Sequence, residues 1–155
     1  MLYLPLLLRL VLADPALSPG SHAPPVVVQR LGGEMQRVSL KGERHLIVFF
    51  ASWCRHCPTY VTYLARDGAL RRTGVRVVPI DLLPSELPGE IETLWQRLGR
   101  PAPLYLDRYG EVADAYQVTD LPTAVLVGPD GRVQGVLVGV QDKKAVMRLL
   151  QRPRA

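Results

Sequence analysis

Leu46-Ile47-Val48-Phe49-Phe50-Ala51-Ser52-Trp53-Cys54-Arg55-His56-Cys57-Pro58 joins an apolar run of strand length to a pair of cysteines, and a helical pattern follows. Leu46 to Ala51 shows no polar alternation, which reads as a strand covered on both faces and therefore placed in mid-sheet. Cysteines at i and i+3 can close a small disulfide ring. At the mouth of a helix they also meet unpaired N–H groups and the positive end of the helix dipole, which stabilise a thiolate. Strand, tight turn, Cys-x-x-Cys and helix together point to a redox site.

Cys54 and Cys57 are the only cysteines among 155 residues. A zinc site usually takes four ligands, and this pair offers two. His22 and His45 are far apart and lack the His-x3–5-His spacing, while a c-type haem would need His where Pro58 stands. A redox-active pair is the leading reading. Two buried apolar cysteines, or a metal-binding pair, are the alternatives. Soft thiolates suit Cu(I), so a copper-binding or copper-delivery protein is the competing class, although no histidine follows His56. The Thr/Ser-x-x-Cys-Pro arrangement of a peroxidase is absent around Cys54. No metal site and no bound cofactor are expected.

The length suits one domain, and apolar residues make up 48% of the chain, enough for a core without disulfide staples. The net charge of +5 comes mostly from arginine, with a small cluster at Arg148, Arg152 and Arg154. No basic run is interleaved with aromatics, so nucleic acid is not an expected partner. Acidic partners or an anionic membrane surface fit the charge, and a solvated face accounts for it more simply.

Residues 1–20 differ from the rest. Leu2 to Leu12 is apolar, broken by Pro5 and Arg9, and too short to span a bilayer, which takes about 20 residues. Its length suits the core of a secretory signal, with Val11-Leu12-Ala13 as a cleavage site. Two features count against this: no basic residue precedes the run, and Arg9 lies inside it. A packed helix or a truncated leader are the alternatives. The folded domain is placed at 21–155. Gly32-Gly33 between two short apolar stretches signals a hairpin, and His45 reads as a solvated turn residue at a strand entrance. Helical patterns follow Pro58, with Gly68 as a weak point, and recur around Ile91–Leu98 and Val112–Tyr116. Strands are expected at Val75–Leu82, Leu104–Leu106, Thr123–Val127 and Arg132–Val140. Asp142 is the expected N-cap of a last helix with Val146, Leu149 and Leu150 inward. Trp95 reads as core.

Trp53-Cys54-Arg55-His56-Cys57-Pro58 resembles the active-site turn of the thioredoxin superfamily, and Phe49-Phe50-Ala51-Ser52 resembles the approach strand of its TlpA/ResA branch. Tyr116-Gln117-Val118-Thr119-Asp120-Leu121-Pro122-Thr123, followed by Gly128-Pro129-Asp130-Gly131-Arg132-Val133, is similar to that branch's second signature. The resemblance runs from about Val26 to Gln151. It implies an α/β thioredoxin-like fold, a central mixed sheet flanked by helices, with an N-terminal β-hairpin extension. It also implies an extracytoplasmic thiol-disulfide oxidoreductase, with Cys54 as nucleophile, Cys57 as resolving cysteine and a cis bond before Pro122. That bond would turn the Leu121 backbone towards an extended substrate. The partners implied are client proteins with cysteines or disulfides, as in cytochrome c maturation, and an upstream thiol-disulfide donor. Membrane association would come through the leader. His56 and Arg55 could tune the Cys54 thiolate and favour an oxidant or isomerase instead, and Trp53 would form part of the contact surface. The chain departs from its relatives at Tyr60, where many carry glutamate, and at Val48, where thioredoxin carries aspartate. Both carboxylates are thought to assist proton transfer at the buried cysteine.

Overall fold

The computed structural model describes residues 17–153 apart from 86 and 88. Its centre is β3 (His45–Phe50), in which every residue is buried. Alternation splits that strand between two cores. Leu46, Val48 and Phe50 join one cluster, while Ile47 and Phe49 join the other. β4 (Arg76–Asp81) pairs with β3 in parallel, and β6 (Thr123–Val127) pairs with it antiparallel on the other side. β7 (Val133–Val138) follows β6 as a hairpin partner. β1 (Val26–Arg30) and β2 (Met35–Val38) form the N-terminal hairpin, and the short β5 (Tyr105–Leu106) joins β1 to β4. The mixed sheet therefore runs β2-β1-β5-β4-β3-β6-β7.

One core lies under α1 (Cys57–Arg66), α2 (Gly68–Arg72), α3 (Glu90–Arg97) and α5 (Lys143–Gln151). These helices contribute Tyr60, Val61, Leu64, Leu70, Ile91, Trp95, Val146, Leu149 and Leu150. Trp95 is buried beside Phe50, ring centroids 5.9 Å apart, and its Nε1 donates to the Ala102 carbonyl at 3.0 Å. The opposite core is closed by α4 (Glu111–Ala115), Tyr116 and the hairpin residues Val26 and Val28. The Tyr116 hydroxyl donates to the Pro24 carbonyl at 2.8 Å, and burial pushes its acidity down. Each large apolar side chain removed from water contributes about 1.5–3 kcal/mol, so the two-faced β3 is where most of the sheet's packing converges.

The break after α1 comes one residue before the glycine singled out in the sequence. Asp67 leaves the helix in extended conformation, and its carboxylate accepts from the Ala69 and Leu70 amides to cap α2. Those amides and Lys143, 3.1 Å away, hold its carboxyl below the usual range. Asp142 caps α5 through the Ala145 amide. His45 is corrected from the sequence expectation: it is not a solvated turn residue but the buried first residue of β3, 2% exposed. The backbone reaches full strand pairing there, with Arg76 and Val127 in register on either side.

Residues 1–16, which hold most of the proposed leader, lie outside the described residues. Leu17–Gly20 pack with the domain, ahead of the boundary read from sequence. Leu17 rests against the second core, and the Gly20 amide donates to the Val133 carbonyl at 2.8 Å. No helix among the described residues is long and apolar enough to cross a membrane.

Two tests follow from this packing. Burial holds the His45 imidazole below its ordinary pKa, outweighing the nearby Glu43 carboxylate. The unfolded chain then binds the extra proton more readily, so stability is full above about pH 6.5 and falls as pH drops below it. Urea midpoints measured across this window should show that loss, and His45→Leu should remove it. A methyl group at Gly135 would collide with the buried Leu149 side chain. Gly135→Ala should therefore cost about 1–3 kcal/mol in denaturation experiments.

Candidate functional site

The end of β3 delivers the chain into a turn held by backbone bonds. The Cys54 amide donates to Ala51 O at 3.2 Å and the Cys57 amide to Cys54 O at 3.0 Å. Cys57 is the first residue of α1 and Pro58 occupies its first turn, where a missing N–H costs nothing. Cys54 and Cys57 are joined as a disulfide, with Cα atoms 5.3 Å apart. The two sulfurs are not equivalent. Cys57 is fully buried in the main core, whereas Cys54 is half-buried at the rim. No acidic side chain stands in the first turn of α1, so nothing there opposes the dipole's pull on a thiolate.

The second signature arrives from the far side. The Leu121–Pro122 peptide bond is cis, and Leu121 O lies 3.9 Å from Cys54 Sγ. Thr123 Oγ1 donates to Asp120 O and the Gly139 amide to Pro122 O, which pins this loop to the start of β6 and the end of β7. The structure thus brings Cys54, Cys57, Leu121 and Pro122 together. Trp53 is beside them and 62% exposed. Arg55 and His56 are also exposed, and neither side chain forms a hydrogen bond or ion pair among the described residues.

Tyr60, three residues after Cys57, places a phenol rather than a carboxylate in the first turn of α1. Its phenol is buried, and that burial raises its pKa. The group stays protonated, so it can donate a hydrogen bond but cannot act as a base. The hydroxyl of Tyr63, one turn on, is buried without a hydrogen-bond partner among the described residues. A carboxylate missed in the sequence is Asp81, fully buried at the end of β4 and in register with Phe50, one strand from the cysteine turn. The available signal was its place at the end of the apolar run Val75–Leu82. No group of three or more His, Cys, Asp or Glu among the described residues could hold a metal ion.

Residues 19–136 match the profile of the AhpC/TSA family. The thiol-disulfide oxidoreductase ResA of Geobacillus kaustophilus is 28% identical over 138 residues, covering 88% of this chain and 78% of that protein. ResA of Bacillus subtilis is 29% identical over 133 residues, covering 84% and 73%. Among solved structures, StoA from Bacillus subtilis superposes with a TM-score of 0.63 at 21% identity, covering 86% of this chain and all of that one. A thioredoxin-family thiol:disulfide interchange protein from Chlorobium tepidum gives 0.69 at 22% identity, covering 86% and 96%. The structural likenesses show the fold, and the thioredoxin-like sheet with its disulfide turn is the one expected from the two sequence signatures. With most of its length matched, the chain belongs to the AhpC/TSA family and is a thioredoxin-like thiol-disulfide oxidoreductase.

Proposed function

We propose that this protein reduces disulfides of client proteins through Cys54 and Cys57, outside the cytoplasm, with electrons from an upstream dithiol. The observation that carries this is the unequal exposure of the two sulfurs. In the reduced enzyme the reachable Cys54 thiolate attacks one sulfur of a client disulfide. The second client sulfur leaves as a thiolate and takes a proton. Cys57, within bonding reach behind it, then attacks Cys54, releases the client's other thiol and restores the intramolecular disulfide. The donor dithiol reduces that disulfide and is itself oxidised.

The cis loop serves as the client's backbone platform in this reading, with Leu121 and Pro122 beside the reacting sulfur and Trp53 as an exposed contact surface. The exposed rim supports the reducing direction. Arg55 and His56 face solvent, where screening limits what a cation does for a thiolate. They therefore add little to the helix terminus, and the pair sits on the reducing side. Cytochrome c maturation or similar thiol clients fit the resemblance, and the apolar leader within residues 1–20 would carry membrane association.

Equilibration against glutathione or dithiothreitol should give a reduction potential at or below about −250 mV, near thioredoxin's. A value above about −180 mV would replace the reductase reading with an oxidant or isomerase tuned by His56. Cys54→Ala should abolish exchange, while Cys57→Ala should accumulate mixed disulfides visible on non-reducing gels. Full activity in Cys54→Ala would reverse the assignment. Tyr60→Phe should leave the pH profile of exchange unmoved, since burial keeps the phenol protonated across the range in which thiols exchange.

A further inference from the structure

Strand register gives the sheet two ends. His45, Arg76, Val127 and Val133 stand level at one. Phe50, Asp81, Thr123 and Val138 mark the other, from which the disulfide turn and Pro122 extend. The end remote from the disulfide is cationic. Lys41, Arg76 and Arg132 lie exposed on its loops and strand starts. Arg44 donates to Thr73 O and Leu150 O, which ties the last turns of α2 and α5 to the same end. Those turns carry exposed Arg71, Arg72 and Arg152. The acidic side chains on these segments are Glu43, 2.8 Å from Arg76, and Asp130, 3.9 Å from Arg132. Lys41, Arg71, Arg72 and Arg152 form no ion pair among the described residues.

The chain also joins the domain here. The Gly20 amide meets Val133 O, Arg132 Nη1 donates to Gly20 O at 2.7 Å, and the Ala23 amide bonds Gly131 O. The apolar stretch Leu2–Leu12 precedes that point by a few residues. An apolar segment too short to span a bilayer holds a membrane weakly, and a second, polybasic signal makes attachment stable. Two independent features therefore converge on one end of the molecule.

We infer that this cationic end seats on an anionic lipid surface and holds the Cys54–Cys57 turn on the far, water-facing side; this rests on the reading of the apolar leader within residues 1–20 as membrane-associating. A six-residue strand separates the two ends by about 20 Å, roughly twice the distance over which salt leaves a surface charge effective. Lipid charge thus acts on one end and leaves the disulfide end free for protein clients. Each cation near an anionic leaflet raises partition about fivefold.

The test uses the full chain with phosphatidylcholine vesicles, with and without phosphatidylglycerol, in co-sedimentation. Binding should be at least about tenfold tighter to the anionic vesicles, and raised salt should erase the difference. The combined variant Lys41→Gln, Arg71→Gln, Arg72→Gln and Arg152→Gln should lose the preference, with circular dichroism confirming its fold. Lys144→Gln, at the disulfide-side start of α5, should keep it. Trp53 fluorescence should stay unquenched by brominated lipid, with buried Trp95 as the constant background. No anionic preference in the parent chain, its persistence in the combined variant, or quenching of Trp53 would overturn the proposal. Binding of duplex DNA as tight as that of the vesicles would replace lipid by polyanions in general. Neutral vesicles read the leader separately: no binding there, with the anionic preference intact, would sink the leader reading alone.

Discussion

Everything in this fold hangs on a strand that has no outside. β3 presents alternate side chains to two separate cores, so neither face can be loosened without opening a layer of helices or the sheet's other covering. Hydrophobic burial on both sides fixes its register against β4 and β6, because a slip by one residue would exchange the two sets of side chains. The cysteine turn begins where that constraint stops. A rigid strand therefore aims Cys54, and a helix grown from the next buried residue holds Cys57.

The inequality of the two sulfurs is a product of this arrangement rather than of any special residue beside them. Cys57 is buried because it is the first residue of a helix laid on the main core; Cys54 is reachable because it is still in the turn. The side chains between them face water. The polar groups of the backbone lie closest to the reacting sulfur: the helix terminus on one side and the Leu121 carbonyl on the other.

Much of this could be read from the chain itself. The two-faced strand announced itself through unbroken apolarity from Leu46 to Ala51, and the helix caps through Asp142 and the glycine-marked turns. What escaped reading depended on tertiary packing. His45 looked like a turn residue because the residues before it are polar, yet the sheet pairs it on both sides. The helix break belongs to Asp67, whose capping bonds are invisible until the backbone turns, while Gly68 merely follows. Asp81 was hidden for the opposite reason: a carboxylate ending an apolar strand looks like the start of a loop, and only the register beside Phe50 places it near the cysteines.

The short strand β5 has a consequence for how the molecule breathes. It meets β1 and β4 through only two residue pairs each, so the seven-stranded ladder is nearly severed between hairpin and core. Beyond those pairs and the flanking bonds from the Leu31 amide to Leu104 O and the Asp107 amide to Asp81 O, coupling rests on side chains, chiefly Val26 and Val28 in the second cluster and the Tyr116 hydroxyl on Pro24. Cooperative opening units tend to part where few backbone bonds cross. By that rule the hairpin is the unit whose opening costs least, with β3, β4, β6 and β7 the more firmly closed layer. The redox turn, seated on that firmer layer, keeps its geometry through such excursions.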